Sequence, residues 1–348
     1  MANFDLTLFD NPVDYAKTTE EFVMATPFQN EDLSSIHLLV DGIKVDREVP
    51  VYDRGFLMIG AAPGCDPTDT SVTMPTVTRK LWSPAEVGYR LPFCQADFGK
   101  FFNYMLAAGV RRADLTESQF WSWLTNYITE NHIQELHRII WFSDTAISAS
   151  GSGGTLSSTA YKPFYNKFDG LFKRVYAANA SYTDTYVEIA ANTSSTQALS
   201  GTEAFNTFDA LSVNAGIRLM SDVNGLSYKV TVSVYRALLS YLRGQAFDAS
   251  FARIQQSNNT LYFDNIPIIP MPNWDVTIAN NFTVAGVKDK PHRIVLCKSD
   301  NIPVGLDTSE SLTEMDMWYS KEKRQAYIDC AFLIDTLIYK DTELMAAY

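Results

Sequence analysis

The sequence predicts an α+β protein with extended arms, and three observations support this class. Residues 36–93 hold short apolar runs interrupted by Gly and Pro, a pattern typical of extended strands. Residues 95–142 hold apolar side chains at helical spacing. The rest of the chain contains segments of both kinds. A length of 348 residues with 46% hydrophobic residues predicts two domains, or one large composite, with a sizeable core.

The extended region predicts a long β-hairpin whose tip, rich in Asp and Pro, lies between residues 61 and 71. Asp41-Gly42 follows the first apolar run and is predicted to form a hairpin turn. Little apolar surface is left for a core of its own, so we expect the hairpin to pack on other residues or on another subunit. The predicted runs are Ile36–Val40, Val49–Ile59, Val77–Trp82 and Val87–Phe93, with a second turn at residues 83–86.

The helical region predicts one long amphipathic helix over residues 116–138. Thr116 and Gln119 have the spacing of a capping box at its start. Phe120 and Trp123 lie on its apolar stripe and are predicted to be buried. The apolar run Ile139–Phe142 then predicts a buried strand. A Ser/Gly/Thr-rich segment at 148–159 predicts a surface loop, because no Gly-Lys-Ser/Thr follows it.

Periodicity assigns the remaining elements. Polar and apolar residues alternate over Tyr228–Val234, which predicts a half-buried strand, and apolar residues fall on one face of Gln325–Tyr339, a long final strand. Three further segments predict helices: Lys167–Ala178, Thr202–Met220 and Arg236–Arg243. Two more predict strands: Leu261–Met271, interrupted by Pro267 and Pro270, and Ile294–Cys297.

No catalytic, cofactor-binding or metal-binding constellation is visible, so we expect no enzyme and no cofactor. The four histidines have no metal-ligand spacing, and His132 and His137 are predicted to be surface residues. Cys65, Cys94, Cys297 and Cys330 are predicted to be thiols in a reducing compartment. Acidic pairs at Asp66/Asp69 and Asp307/Glu310 are assigned to turns. Trp121, Trp123, Trp141 and Trp274 fit either a core or a sugar-binding surface.

The charge distribution is acidic overall and uneven. The formal net charge is −12, which argues against a reader of nucleic-acid sequence because it repels phosphate. Residues 1–50 carry ten acids and three bases, whereas residues 76–112 carry six bases and two acids. The two segments are either solvated faces or surfaces that attract each other between subunits. The apolar runs are too short to cross a membrane, and no secretory signal is expected.

The order of four segments resembles the major capsid protein of tailed bacteriophages, especially the crAss-like phage type. The segments are Phe168–Phe172, Tyr228–Val234 with the helix through Arg243, Leu261–Ile269, and Arg293–Asp307. The resemblance implies an HK97-like (Johnson) capsid fold. It implies an N-terminal arm (1–35), an extended hairpin loop (36–95), a peripheral domain (96–200) with a spine helix (116–138), an inserted axial domain (201–305), and a return to the peripheral domain (306–348).

The resemblance also implies a function: a shell that encloses a double-stranded DNA genome without sequence-specific binding. It implies hexamers and pentamers of this chain, located in the virion and assembled in the host bacterial cytoplasm, with no membrane. Because the chain runs from a short arm into the hairpin, a separate scaffold is expected, with portal and cement or auxiliary proteins. Five residues are predicted at the assembly interface: Asp41, Gly42, Arg79, Lys80 and Arg90. An encapsulin-like nanocompartment and a carbohydrate-binding or carbohydrate-active protein remain open alternatives.

Overall fold

A computed structural model describes residues 35–52, 77–94, 134–149, 153–244, 254–257, 260–307, 315–320 and 325–348. Its described residues form two large sheets, each with buried side chains against helices, and two separate two-stranded sheets, β2–β3 and β10–β11. The predicted α+β class is confirmed. The N-terminal arm, the hairpin tip and most of the predicted spine helix, including Phe120 and Trp123, lie outside the described residues.

The elements in chain order are as follows. The strands are β1 Leu39–Val40, β2 Arg47–Tyr52, β3 Val77–Trp82, β4 Ala85–Cys94, β5 Tyr186–Val187, β6 Leu226–Val230, β7 Ile254–Ser257, β8 Thr260–Phe263, β9 Ile266–Pro270, β10 Thr283–Val284, β11 Val287–Lys288, β12 Ile294–Lys298, β13 Val304–Leu306, β14 Met315–Ser320, β15 Gln325–Thr336 and β16 Leu344–Ala347. The helices are α1 at 134–142, α2 Leu171–Ser181, α3 Gly201–Asn214, α4 Ile217–Met220, α5 Val232–Gly244 and α6 Pro272–Asn281.

The first sheet is built around β15, a strand of 12 residues that spans about 40 Å. One edge of β15 pairs with β4 along ten residues, from Ile334 opposite Ala85 to Gln325 opposite Cys94. The other edge pairs with β14 and with β13, and β13 in turn pairs in parallel with β1. The long strand at Gln325 is therefore confirmed, and it ends at Thr336.

The second sheet has seven strands in the order β5-β16-β12-β6-β9-β8-β7. Its two faces belong to two different cores. On β12, Ile294 and Leu296 face a core completed by α3 and α5, whereas Val295 and Cys297 face a core completed by α1, α2 and α6. Both faces are covered, so every residue of β6 and four of the five residues of β12 are buried, including the polar residues Ser227 and Lys229 of β6.

The strand β16 joins these two cores. Leu344 and Ala346 lie in the core with α1 and α2, and Met345 and Ala347 lie in the core with α3 and α5. The alternation follows from the two-residue period of a strand. β16 is not predictable from local sequence, because the four apolar residues at 344–347 have no polar/apolar alternation.

Two predicted strands are wrong because apolar or alternating runs do not distinguish buried helix from buried strand. Residues 139–142 are buried as predicted, but they form the end of α1. The strand predicted over Tyr228–Val234 ends at Val230, and Val232 begins α5. The polar residue in its alternation, Lys229, is fully buried and donates a hydrogen bond to Ser227 Oγ at 2.9 Å.

Turns account for two further corrections. The single strand predicted over Leu261–Met271 is a hairpin of β8 and β9, linked by Asp264 and Asn265 with φ of 49° and 65°. Two successive positive φ values are the geometry of a type I′ turn, which Asp and Asn tolerate. The helix predicted over Thr202–Met220 is divided into α3 and α4, because Ala215 is extended (ψ 128°) before Gly216.

Several boundaries shift without changing the element. The helix predicted over Lys167–Ala178 begins four residues later, at Leu171, after Gly170 as its N-cap. The helix predicted over Arg236–Arg243 begins earlier, at Val232. The strand predicted at Ile294–Cys297 is confirmed and extends by one residue. In the segment predicted to be a loop, the described residues form one isolated bridge, Ala149 to Leu156, and the last residue, Thr159, begins a 3-10 helix that ends at Phe164.

Candidate assembly surface

The two-stranded ribbon of β2 and β3 carries exposed apolar side chains. Its strands pair from Arg47 opposite Trp82 to Tyr52 opposite Val77, which confirms the predicted hairpin pairing. Tyr52, Val77 and Leu81 are about half exposed or more. A two-stranded ribbon is marginal in water on its own, and exposed apolar side chains favour burial against another surface.

The root of this ribbon is anchored by Trp82, whose side chain is 1% exposed. It packs with Ile43 and Leu337 in a small core of its own. Gly305 on β13 lies directly against the indole: a Cβ at this position would be 2.8 Å from Trp82 Cζ3. A glycine is therefore required for the close approach of β13 to the ring. The ribbon is fixed at its base, whereas the strands beyond the base remain exposed.

Polar contacts fix the same root. The backbone N–H of Ser83 donates to Asp335 Oδ2 at 2.7 Å, and Arg174 Nη2 donates to Asp335 Oδ1 at 3.0 Å. Burial raises the pKa of the Asp335 carboxyl, against the opposing effects of Arg174 and the backbone N–H donors. On β3, Lys80 Nζ lies 2.7 Å from Asp341 Oδ2, with both side chains about one-quarter exposed.

Arg79 and Lys80 lie close to this root on β3, whereas Arg90 lies farther along β4; within the described chain, each of these three bases has a carboxylate partner. Arg79 pairs with Glu48 across the ribbon at 3.2 Å, with both side chains largely exposed. Arg90 on β4 donates to Asp329 on β15 at 3.0 Å. Exposed pairs of this kind contribute about 0–1 kcal/mol each, so the arginines could exchange partners at small cost. Their contact with a neighbouring subunit stays a prediction.

The hairpin turn predicted at Asp41-Gly42 is wrong. The preceding strand β1 pairs with β13 and not with β2, so these residues do not connect paired strands. Gly42 has a φ of 82°, but Asp41 is not among the residues with positive φ, which a type I′ turn requires. Instead, the Asp41 carboxylate accepts from the Gly42 N–H at 3.1 Å, and the next residue, Ile43, enters the Trp82 core.

The Gly42→Val substitution is expected to leave a folded subunit that fails to form shells. A β-branched residue at a φ of 82° is strained by about 1–3 kcal/mol. We expect the strain to be relieved by displacing Ile43 from the Trp82 core, which loosens the ribbon root. Circular dichroism should stay native while sedimentation shows small species. The Gly42→Asn control should assemble, since Asn tolerates this φ; normal shells from Gly42→Val would contradict the prediction.

The residues of the alternative sites that the structure describes lie in the interior. Trp141 and Trp274 are fully buried, with ring centroids 4.6 Å apart, so neither can line a sugar-binding surface. Asp307 is buried and lies 3.9 Å from Lys44, whereas Asp66, Asp69, Glu310, Trp121 and Trp123 lie outside the described residues. In the described ranges, no group of three His, Cys, Asp or Glu could hold a metal ion, and no helix is long and apolar enough to span a membrane.

The surface position predicted for His137 is wrong: the residue is 5% exposed on α1. His37 and His292 are also buried, and burial lowers the pKa of each, in agreement with neutral rings inside the protein. Cys297 is a free, buried thiol, and burial raises its pKa. His132 lies outside the described residues. The four described groups, His37, His137, His292 and Cys297, are all buried.

The sequence did not predict the roles of two residues at the ribbon root: Trp82, which anchors it, and Asp335, which accepts the N–H of Ser83. A signal for Asp335 exists, because it is one charged residue inside the apolar run 332–338. Charged residues are rarely buried unless paired, so such a position predicts a specific buried contact. The partner, Arg174, is 161 positions away and cannot be read from the same segment.

No protein-family model and no curated protein match this chain. Solved structures do match. The capsid of Myoviridae phage XM1 aligns with a TM-score of 0.50 and 8% identity over 91% of this chain and 90% of that chain. The procapsid of satellite phage P4 with its size determination protein aligns with a TM-score of 0.49 and 11% identity, over 95% of this chain and 96% of that chain. The capsid of cyanophage P-SCSP1u aligns with a TM-score of 0.45 and 10% identity, over 90% of this chain and 86% of that chain. The identities are low, but the XM1 alignment extends over nearly all of both chains. The chain therefore has the HK97-like fold of phage capsid proteins, as the order of its segments predicted.

Proposed function

We propose that this chain is the major capsid protein of a tailed phage, and that copies of it form the icosahedral shell around a double-stranded DNA genome. The observation that carries the proposal is the ribbon β2–β3: on the HK97-like fold it exposes apolar side chains while its root is rigidly anchored. Such a segment is suited to lie on a neighbouring copy and bury its apolar side chains there. The role is structural, with no catalytic step.

We propose an axial domain over 201–305 and a peripheral domain over 96–200 and 306–348, with α3 and α5 in the first and α1 and α2 in the second. The two cores cross these boundaries, because α6 packs in the core with α1 and α2, and β16 contributes side chains to both cores. We propose hexamers and pentamers of the chain, assembled in the host bacterial cytoplasm with a separate scaffold, a portal and cement or auxiliary proteins. The net charge of −12 supports a wall that confines DNA without binding its sequence.

Electron microscopy of the purified full-length chain, produced with and without the other structural proteins of its phage, tests the proposal. Closed shells or rings of capsomers are expected. A matched variant replaces residues 49–80 by a short Gly/Ser linker and is expected to give folded subunits without shells. A stable 39.0 kDa monomer under all conditions would contradict the proposal. Shells that enclose a protein cargo and never DNA would identify a nanocompartment instead.

Assembly is expected to slow as salt increases. The basic segment 76–112 would meet the acidic segment 1–50 of a neighbour, and near-surface pairs of opposite charge steer association more than they add affinity. Raising sodium chloride from about 0.1 M to about 1 M shortens the Debye length from about 10 Å to about 3 Å. The measurement is light-scattering assembly kinetics against salt concentration. A rate that stays flat or rises with salt would show that the two segments are only solvated faces.

Charge reversal at the ribbon provides the second half of this test. Arg79→Glu is expected to slow assembly at low salt and to remove part of the salt dependence, because Arg79 is largely exposed on β3. Lys80→Glu should do the same with an additional loss of the Asp341 contact. Arg236→Glu, an exposed base on α5, is the matched control and should leave the kinetics unchanged.

A further inference from the structure

The carboxylate of Asp335 is the buried junction between the ribbon and the body of the protein. Its side chain is 1% exposed, near the end of β15. One oxygen accepts the Ser83 N–H at 2.7 Å, and Ser83 directly follows Trp82 at the ribbon root. The other oxygen accepts from Arg174 Nη2 at 3.0 Å and from the Thr336 N–H at 2.8 Å. Both oxygens are thus used, and they connect β3, β15 and α2.

The contacts continue from this junction to the end of α1. Thr336 Oγ1 donates to the Asp169 carbonyl oxygen at 2.8 Å, and Arg174 Nε donates to the same oxygen at 3.1 Å. The Asp169 carboxylate in turn accepts from the N–H and the hydroxyl of Thr145 at 3.0 and 2.7 Å, three residues after α1 ends. A continuous set of hydrogen bonds therefore runs from the ribbon root to the C-terminal end of α1.

This junction does not stabilise the fold through its charge. Burial raises the pKa of Asp335, so the ionised form is held less favourably inside the protein than in water. Buried ion pairs are often replaced by neutral residues without loss of stability, provided that no uncompensated charge is left behind. The Arg174 side chain is 26% exposed, so its charge can be solvated if the partner is neutralised. The contacts instead fix direction, because each hydrogen bond constrains a different element.

We propose that Asp335 is a positioning residue that sets the direction in which the ribbon β2–β3 leaves the body and couples that direction to α1 and α2. The inference rests on the proposed function, because the ribbon direction matters only if the ribbon contacts a neighbouring copy. Asp335 has three hydrogen-bond donors as partners. One of them is charged, Arg174 from α2, and the other two are the backbone N–H groups of Ser83 and Thr336.

The test is Asp335→Asn, which preserves the shape of the side chain and removes its charge. At neutral pH the urea midpoint should be lower than that of the wild type, because both carboxylate oxygens accept N–H donors whereas the Asn amide has a single acceptor oxygen. The raised pKa means that the native state of the wild type gains stability on protonation, so the difference between the two proteins should grow as the pH is lowered. Hydrogen exchange at the peptide containing Ser83 should accelerate about tenfold, and shells should be absent or irregular.

Asp329→Asn is the matched control, since Asp329 lies on the same strand six residues earlier and pairs with the exposed Arg90. It should change neither Ser83 exchange nor shell regularity. An Asp335→Asn protein that fails to fold, or whose hydrogen exchange accelerates throughout both cores, would show that the residue is structural and overturn the proposal. Unchanged exchange at Ser83 would also overturn it. If the wild type forms no shells, the proposed function fails, whereas the exchange and stability measurements still decide the role of Asp335.

Discussion

Replacing Trp82 with alanine is expected to give a folded subunit that forms no shells. Truncation of a fully buried aromatic residue costs about 3–5 kcal/mol, from lost apolar burial and from the cavity left behind. The loss falls on a small core that Trp82 shares with the buried residues Ile43 and Leu337, whereas the two larger cores contain none of these three residues. We therefore expect the ribbon root to detach while both larger cores persist.

The measurements are far-ultraviolet circular dichroism, limited proteolysis between residues 44 and 83, and electron microscopy. The helical signal should be retained, cleavage should accelerate, and shells should be missing. Trp82→Phe retains most of the apolar volume against Gly305 and should assemble, with lower yield. Regular shells from the Trp82→Ala protein would show that the ribbon does not depend on this anchor.

Replacing Trp141 with alanine, in contrast to Trp82→Ala, is expected to prevent folding altogether. Trp141 is fully buried on α1, and its ring contacts Trp274 at 4.6 Å and Phe172 at 5.1 Å between centroids. The expected loss is again about 3–5 kcal/mol, but it falls where α1, α2 and α6 meet. A loss of this size is a large part of the free energy of unfolding of a typical domain.

The soluble fraction after expression and the urea midpoint of any soluble protein measure this effect. We expect insoluble or protease-sensitive Trp141→Ala protein and a soluble Trp141→Phe control, because phenylalanine preserves part of the edge-to-face packing. A soluble, shell-forming Trp141→Ala protein would show that this core tolerates a large cavity. The contrast between the two tryptophans separates loss of assembly from loss of folding.

Local periodicity predicted the strands in which polar and apolar residues alternate and the strands that pair with a segment close in sequence. The ribbon β2–β3 and the long strand β15 were predicted because their patterns are local. Elements between the two cores were misread, because residues buried on every side give continuous apolar runs, as at 139–142, or conceal a polar residue, as at Lys229. The order of segments predicted the fold itself, since shared order persists where sequence identity is as low as 8%.

The candidate site was harder to predict than the fold. The sequence predicted the ribbon and its basic residues Arg79 and Lys80. It did not predict that Trp82 and Asp335 fix the root of the ribbon. The contacts of Asp335 join residues separated by 161 and 252 positions, and no local pattern records such pairs. Asp41 and Gly42 were chosen for a turn that the chain does not make, because β1 finds its partner in β13, more than 260 positions away.

The position of β16 has a consequence for biosynthesis. Residues 344–347 are translated after every other described element, yet they form an interior strand between β12 and β5 and contribute side chains to both cores. Until residues 344–347 leave the ribosome, the second sheet lacks β16, and β5 has no partner among the described strands. The nascent polypeptide can therefore form helices and hairpins early, but neither core is complete before these residues are released.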